Sequence, residues 1–292
     1  MTALFHLESG GTRRWARGTA EEGPEELLGP DVTLARLLGP EGPVLAELAT
    51  LPVDGEVPSD ARILPPVDEQ EVWAAGVTYR RSRDARMEES RAPDHYDRVY
   101  AAERPELFLK ATSRRVRGSG EPIGVREDSA WDVPEPELGL VIDSSGRVVG
   151  YVLGDDVSSR SIEGANPLYL PQAKVYDGSC AIGPCIVPVD AAPAHTSMRI
   201  QLVVTRRGED VYRDQVSVDD LRHDPQVLAD WLYRAISFPQ GAILLTGTAI
   251  VPPSEFTLQP DDEVEISVDG LGVLRNRVVL VPTGAAPASD RA

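Results

Sequence analysis

Glu135 and Glu137 stand two positions apart in the run Trp131-Asp132-Val133-Pro134-Glu135-Pro136-Glu137-Leu138, and that spacing constrains the chain more than any other feature. On an extended strand, residues two apart point to the same face. Like charges held that close repel, so something must offset the arrangement. The apolar continuation to Ile142, the turn Asp143-Ser144-Ser145-Gly146 and the run Val148–Leu153 predict a β-hairpin. A symmetric hairpin centred on Ser144 and Ser145 places Glu135 opposite Gly154. Asp156, two residues further on, then lies on the same face at the same end. Three carboxylates converging from two adjacent strands form an oxygen-rich half-shell suited to Mg²⁺ or Mn²⁺. A solvated sheet edge would carry the same glutamate pair without a metal. The paired Asp155-Asp156 at the end of an otherwise apolar strand favours the metal.

The rest of the chain reads as sheet with few helices. Residues 1–66 are rich in Gly, Pro and acidic residues, and Leu64-Pro65-Pro66 is a rigid linker, so they are expected to form a small N-terminal domain. Within them Asp31 is expected to cap a short helix carrying Leu34, Leu37 and Leu38. Residues 67–283 are expected to form the catalytic domain, and 284–292 a flexible tail. Strands are expected at Val72–Val77, Leu107–Lys110, Met198–Thr205, Val211–Val216 and around Val264, Ile266 and Val268. The charged stretch 80–104 has helical character and begins with Arg80, Arg81, Arg83 and Arg86. Asp224-Pro225 opens an amphipathic helix with Val227, Leu228, Trp231, Leu232, Ala235 and Ile236 on one face. The expected class is α+β, dominated by sheet.

Composition narrows the function. With 47 acidic against 29 basic residues the formal charge is −18, which repels phosphate backbones and argues against a nucleic-acid partner. An anionic substrate would then need a local positive centre, and a bound metal supplies one. No apolar run is long enough to span a bilayer, and MTALFHLESGG has neither a basic nor an apolar leader segment, so no membrane partner and a cytoplasmic location are expected. Cys180 and Cys185 lie in an apolar small-residue stretch and read as buried thiols. The four histidines are scattered, so a metal site is expected from carboxylates alone.

The order of EPEL, a turn, GDDVSSR, a later lysine and LLTGTA before an acidic strand resembles the fumarylacetoacetate-hydrolase superfamily over about residues 70–280. The resemblance implies a β-rich mixed roll or sandwich with flanking helices, and a homodimer or homotetramer. It also implies one divalent cation on Glu135, Glu137 and Asp156, and it brings Lys174 and Thr248 to the site. Mg²⁺ is the expected ion, with Mn²⁺ or Ca²⁺ as alternatives. Members of this superfamily catalyse several reactions, so membership alone does not give the chemistry. Two departures narrow it. Many hydrolases and decarboxylases of the family carry a histidine three residues after a tyrosine, where this chain has Ser82 after Tyr79. Glu106 replaces an apolar residue at the start of a strand. These departures, with WDVPEPEL, NPLYLPQAKVYDGSCAIGP and TGTAIVP, resemble the branch that dehydrates 2-keto-3-deoxy sugar acids.

That branch implies loss of water from a 2-keto-3-deoxypentonate, a small 2-oxo sugar acid, giving 2,5-dioxopentanoate in pentose or uronate breakdown. Glu106 is the expected base, desolvated under a lid formed by 80–104. Lys174 is the expected cation beside the metal or the proton donor. Thr248 is expected to hold the substrate carboxylate, Arg83 to approach substrate from the lid, and Tyr79 to lie in the core or at the site. Hydrolysis or decarboxylation of a β-diketo or 2-oxo acid is the alternative, and a noncatalytic metal-binding domain the second.

Overall fold

The computed structural model describes residues 1–41, 44–89 and 93–283. The expected tail 284–292 lies outside them, as do positions 90–92 of the expected lid. Residues 1–66 contribute β1 (Thr2–Ser9), β2 (Thr12–Thr19), β3 (Gly23–Leu28), α1 (Leu34–Leu38), β4 (Val53–Glu56) and β5 (Arg62–Leu64). There follow β6 (Val72–Gly76), α2 (Arg80–Glu89), α3 (Pro93–Ala101), β7 (Glu106–Ala111), β8 (Val116–Arg117), β9 (Ile123–Arg126) and β10 (Asp132–Val133). The hairpin strands are β11 (Pro136–Ile142) and β12 (Val148–Asp156), leading to β13 (Ser158–Ser159), α4 (Arg160–Ala165), α5 (Leu170–Lys174) and β14 (Cys180–Pro188). The chain ends in β15 (Arg199–Arg206), β16 (Glu209–Ser217), α6 (Pro225–Tyr233), β17 (Ala242–Leu245), β18 (Glu263–Val268) and β19 (Gly272–Val281). Helices are a minority, as the sheet-dominated α+β reading expects.

A large sheet runs β4-β3-β2-β1-β14-β12-β11-β17-β6-β7, and a second runs β16-β15-β18-β19-β9. One apolar cluster joins Leu138, Leu140 and Leu153 of the large sheet to Ile200, Leu202 and Ile266 of the second. Another covers the opposite face, where Val141, Val152, Ile243 and Leu245 meet Leu34, Leu37 and Leu38 of α1. The central strands are therefore buried on both faces, which is why β11 and β14 read as continuous apolar runs rather than alternating ones. The strands of 1–66 extend this sheet through β1, which pairs with β14 at Leu4↔Ile186. No helix among the described residues is long and apolar enough to cross a membrane.

Two local expectations need correction. The cap of α1 is Thr33, whose side chain accepts from the Arg36 N–H at 3.2 Å, while Asp31 offers its carbonyl to the Arg36 guanidinium at 3.0 Å. Helix α6 buries Pro225, Leu228, Ala229 and Leu232, whereas Val227 and Ile236 are 39% and 42% exposed. The helix ends at Tyr233, so only this one short stripe reaches the core, and it starts at the capping-turn proline.

The sheet order positions the site. Neighbouring strands β12, β11, β17, β6 and β7 present to one sheet edge, in turn, a C-terminal, an N-terminal, two C-terminal and an N-terminal end. Asp156, Glu135 with Glu137, Thr248, Gly76 and Glu106 stand at those ends.

Candidate active site

The hairpin register brings the three acids together by a slightly different route from the symmetric one. Glu137, not Glu135, lies opposite Gly154, because the turn sets Ile142 opposite Val148, one residue off the symmetric register, and the ladder shifts by one more between Val141 and Ile142. The Asp156 N–H donates to the Glu135 carbonyl at 3.0 Å, so these two are cross-strand neighbours. A displacement of two residues preserves the face, and the three carboxylates still converge, with one oxygen from each within 4.8 Å of the others. They are 4%, 1% and 1% exposed for Glu135, Glu137 and Asp156. Asp155 points elsewhere and accepts the Glu135 N–H at 2.9 Å, fixing the backbone that carries the first of the three acids.

Burial is the main cause that raises the Glu137 carboxyl well above the ordinary range, with Asp156 and Glu135 adding to it. The Gly247 N–H donates to Glu137 Oε2 at 2.6 Å. Gly247 has φ +90°, and a Cβ there would stand 2.1 Å from Thr78 Oγ1, so the turn after β17 requires glycine. Thr248, 3% exposed, follows it and lines the cavity.

Buried cations surround the acids. Lys174 Nζ donates to Glu135 Oε1 at 2.8 Å, Asp156 Oδ2 at 3.0 Å and Ser158 Oγ at 2.5 Å. Burial lowers its pKa, but Asp156 and Glu135 more than offset this and the net shift is upward. Lys110, fully buried, pairs with Asp156 Oδ1 and donates to the carbonyls of Val157 and Lys174 at 3.0 and 2.6 Å. Arg86 bridges Glu135 Oε1 at 3.1 Å and Glu163 Oε1 at 3.3 Å, and Arg160 lies 3.4 Å from Glu135.

Glu135, Glu137, Asp156, Lys174 and Arg86 line a partly open cavity with about 370 Å³ of empty space, whose lining does not include Lys110 or Arg160. Glu106, paired with Gly76 across β6 and β7, faces it, and a Cβ on Gly76 would stand 2.2 Å from Glu106 Oε2. Glycine at 76 makes room for the carboxyl. Burial chiefly raises Glu106 to about 7; Glu163 adds to the rise, and Lys174 and Arg86 oppose it. Ser82 also lines the cavity, and its hydroxyl donates to the Tyr79 carbonyl at 2.9 Å.

Tyr79 and Arg83 are placed differently. Tyr79 is 1% exposed, borders a separate cavity, and burial is the main cause raising its hydroxyl pKa. Arg83 turns to the outside of α2, where it pairs with Asp84 and Asp97 and stacks over the Tyr100 ring at 4.9 Å. Lys110, Arg160 and Glu163 join the site without having been expected there, and Arg86 was expected only as part of the arginine run 80–86. One signal was available for Lys110: a lone cation inside the apolar run Leu107-Phe108-Leu109-Lys110-Ala111. Another was Arg86, four residues from Ser82 and so on the same helical face.

The acids fit a hard divalent cation. The group formed by Glu135, Glu137 and Asp156 contains only carboxylate oxygens, the donor type Mg²⁺, Mn²⁺ and Ca²⁺ prefer. Four buried acids, Glu135, Glu137, Asp156 and Glu163, and the half-buried Glu106 stand among four buried cations, Lys110, Lys174, Arg86 and Arg160.

A family model described as fumarylacetoacetate (FAA) hydrolase C-terminal matches residues 71–279. The chain belongs to the fumarylacetoacetate hydrolase family. Within that family it is 49% identical over 238 residues to a protein of Haloferax volcanii described as a probable 2-keto-3-deoxyxylonate dehydratase, covering 80% of this chain and 82% of that one. It is 44% identical over 220 residues to the 2-dehydro-3-deoxy-D-arabinonate dehydratase of Saccharolobus solfataricus, covering 74% of each. Among solved structures, 2-keto-3-deoxy-D-arabinonate dehydratase complexed with magnesium and 2,5-dioxopentanoate superposes with a TM-score of 0.82 at 34% identity, covering 97% of this chain and 100% of that one.

Proposed function

We propose that this chain is a Mg²⁺-dependent hydro-lyase that removes water from a 2-keto-3-deoxypentonate and yields 2,5-dioxopentanoate. One observation carries the reading: a buried carboxylate triad and a separate desolvated glutamate, Glu106, share one cavity. The relatives' dehydratase activities and the magnesium and 2,5-dioxopentanoate in the similar structure support it. We assign the catalytic unit to residues 67–283, with 1–66 as a small N-terminal domain, in a cytoplasmic homodimer or homotetramer. Two free buried thiols suit a reducing compartment.

A divalent cation on Glu135, Glu137 and Asp156 would supply Lewis acidity at the substrate's 2-oxo carboxylate and raise the acidity of C3. Glu106 takes the C3 proton, and its raised pKa suits a base working near neutrality. Lys174 balances the charge of the ligand carboxylates; a pKa shifted upward makes it a poor proton donor. Thr248, beside the tight Gly247 turn, is the hydrogen-bonding group for the substrate carboxylate. Tyr79 and Arg83 lie outside the cavity lining, and Arg86 takes the inward arginine role on α2. Hydrolysis would need a group that activates water at position 82, and the Ser82 hydroxyl is engaged with a backbone carbonyl instead. The test is purified protein with Mg²⁺ against a panel of 2-keto-3-deoxyaldonates followed by NMR. The expected product is 2,5-dioxopentanoate from a pentonate. C–C cleavage products would overturn the assignment.

A further inference from the structure

Removing water from C4 requires a proton donor as well as a base, because hydroxide is a poor leaving group. Lys174 is committed to Glu135, Asp156 and Ser158. The cavity holds one more acid. Glu163 projects from α4, is 6% exposed, and lines the same cavity as Glu106. Its Oε1 is held by Arg86 at 3.3 Å, while Oε2 is buried with no hydrogen-bond partner. A buried unpartnered carboxyl oxygen is costly, and one on a residue that lines the reaction cavity has a use for its free position. Glu163 is also the strongest charged influence raising Glu106, so the two carboxyls are electrostatically joined. Two carboxyls on one cavity can divide the roles of base and acid between them. Arg86 fixes the second acid relative to the ligand cluster, since the same guanidinium holds Glu135 at 3.1 Å.

We propose that Glu163 is the general acid of the dehydration and that Glu106 and Glu163 form a two-carboxyl relay that resets itself within each turnover. The proposal rests on the dehydratase reading above. In the first stage the Glu106 carboxylate takes a proton from C3. The C3–H electron pair becomes the C3–C4 double bond, and the C4–O bond breaks. The departing oxygen takes the proton from Glu163 and leaves as water. The organic product of this stage is 5-hydroxy-2-oxopent-3-enoate, with Glu106 now protonated and Glu163 ionised. In the second stage Glu163 takes a proton from C5, the double bond moves from C3–C4 to C4–C5, and Glu106 returns its proton to C3. This gives the enol of 2,5-dioxopentanoate, which ketonises by losing its hydroxyl proton to water and gaining one at C4. Both carboxyls end in their starting states, and no oxidant, reductant or co-reactant is consumed.

The test uses the full-length Mg²⁺-loaded protein, E163Q and E106Q. Gln is nearly isosteric with Glu, and Mg²⁺ binding by calorimetry should be unchanged in E163Q. Dehydration of the 2-keto-3-deoxypentonate should fall about 10²–10⁴-fold in E163Q, the usual range for losing a positioned acid. Exchange of the C3 protons with D₂O, read by NMR, should continue within about threefold of the wild-type rate, because Glu106 is intact. An analogue carrying fluorine in place of the C4 hydroxyl supplies the decisive contrast, since fluoride departs without being protonated. E163Q should release fluoride within about tenfold of wild type, and the conjugated 5-hydroxy-2-oxopent-3-enoate should accumulate because the C5 proton is no longer taken. E106Q should lose dehydration, C3 exchange and fluoride release together. If E163Q loses C3 exchange or fluoride release as severely as dehydration, Glu163 only positions its neighbours and the acid assignment is overturned. Near-normal dehydration by E163Q overturns it as well. A wild-type protein that loses neither water nor fluoride removes the dehydratase reading itself, and the relay with it.

Discussion

The two walls of the cavity are built on different principles. The sheet-edge wall carries Glu135, Glu137 and Asp156 at the ends of strands buried on both faces, with Lys174 of α5 and Lys110 of β7 paired to them, and each of the five is at most 4% exposed. Ladder register and backbone donors such as the Gly247 N–H fix these groups before any ligand enters. The helical wall carries Ser82 and Arg86 on α2 and Glu163 on α4. Helix α2 reads Arg-Arg-Ser-Arg-Asp-Ala-Arg-Met-Glu-Glu and has no apolar stripe with which to dock. Its inward hold on the site is ionic, through Arg86 to Glu135 and Glu163. The acidic triad is thus preorganised by packing, whereas Arg86 and Glu163 on the helical wall hang on ion pairs whose strength depends on the charge of the cavity.

The largest effect should come from breaking the sheet-edge wall. Glu137→Gln removes a ligand, and the protein should lose bound Mg²⁺ by calorimetry. With it goes several kcal/mol of transition-state stabilisation, on the order of 10⁴-fold in kcat. Retained metal with retained activity would place the cation elsewhere. Glu106→Gln should cost about 10²–10⁴-fold in kcat with metal binding unchanged. The pH profile carries its own sign. The base must be ionised, and burial raises Glu106 to about 7, so its working fraction is lost as pH falls. A bound cation draws that value lower. The acid limb of kcat/KM should therefore inflect at or below about 7, losing about tenfold per unit beneath the inflection. An acid limb that Glu106→Gln leaves unchanged would remove Glu106 from the step.

The same contrast explains what could be read from sequence. Glu135, Glu137 and Asp156 were legible because strand alternation survives a register error of two residues: the turn and the ladder shift near Ile142, one residue each, move Glu135 from Gly154 to Asp156 without changing its face. The buried face of α6 was legible only in part, since Pro225 joined the core stripe while serving as the first residue of the helix. On α2, Arg83 and Arg86 are three positions apart in a helix with no apolar face, so nothing local decides which turns inward. Tertiary contact with Glu135 and Glu163 decides it. Glu163 was invisible for a related reason, because a six-residue helix carries too little periodicity to orient a side chain.

Lys110 tests how far the sheet-edge wall depends on its buried cations. Lys110→Met keeps the length of the side chain but leaves Asp156 Oδ1 without its ion-pair partner. Removing one member of a buried pair costs about 3–5 kcal/mol. We expect a loss of that size in chemical denaturation without metal, and a smaller one with saturating Mg²⁺, since the ion stabilises only the folded state. Equal losses in both conditions would mean that Asp156 and the cation are not linked.

The smallest effect should separate the two arginines of α2. Arg86→Ala removes a buried bridge between Glu135 and Glu163, and changes around a metal's ligands typically cost about 10–100-fold in activity or affinity. Part of that loss should appear as faster amide exchange in α2, because Arg86 is its inward tie. Arg83 faces outward, and its partners Asp84, Asp97 and the Tyr100 ring belong to α2 and α3 rather than to the cavity. Arg83→Ala should leave kcat, KM and bound Mg²⁺ within about twofold of wild type, as substitutions at the surface usually do. A large rise in KM for Arg83→Ala with no change for Arg86→Ala would reverse the comparison. It would mean that α2 rotates when substrate binds and brings Arg83 inward, so the helical wall as described would be its open form. Hydrogen exchange in α2 with and without product distinguishes these cases. A docked helix held by Arg86 is protected in both conditions, whereas a rotating one gains protection only when the ligand is present.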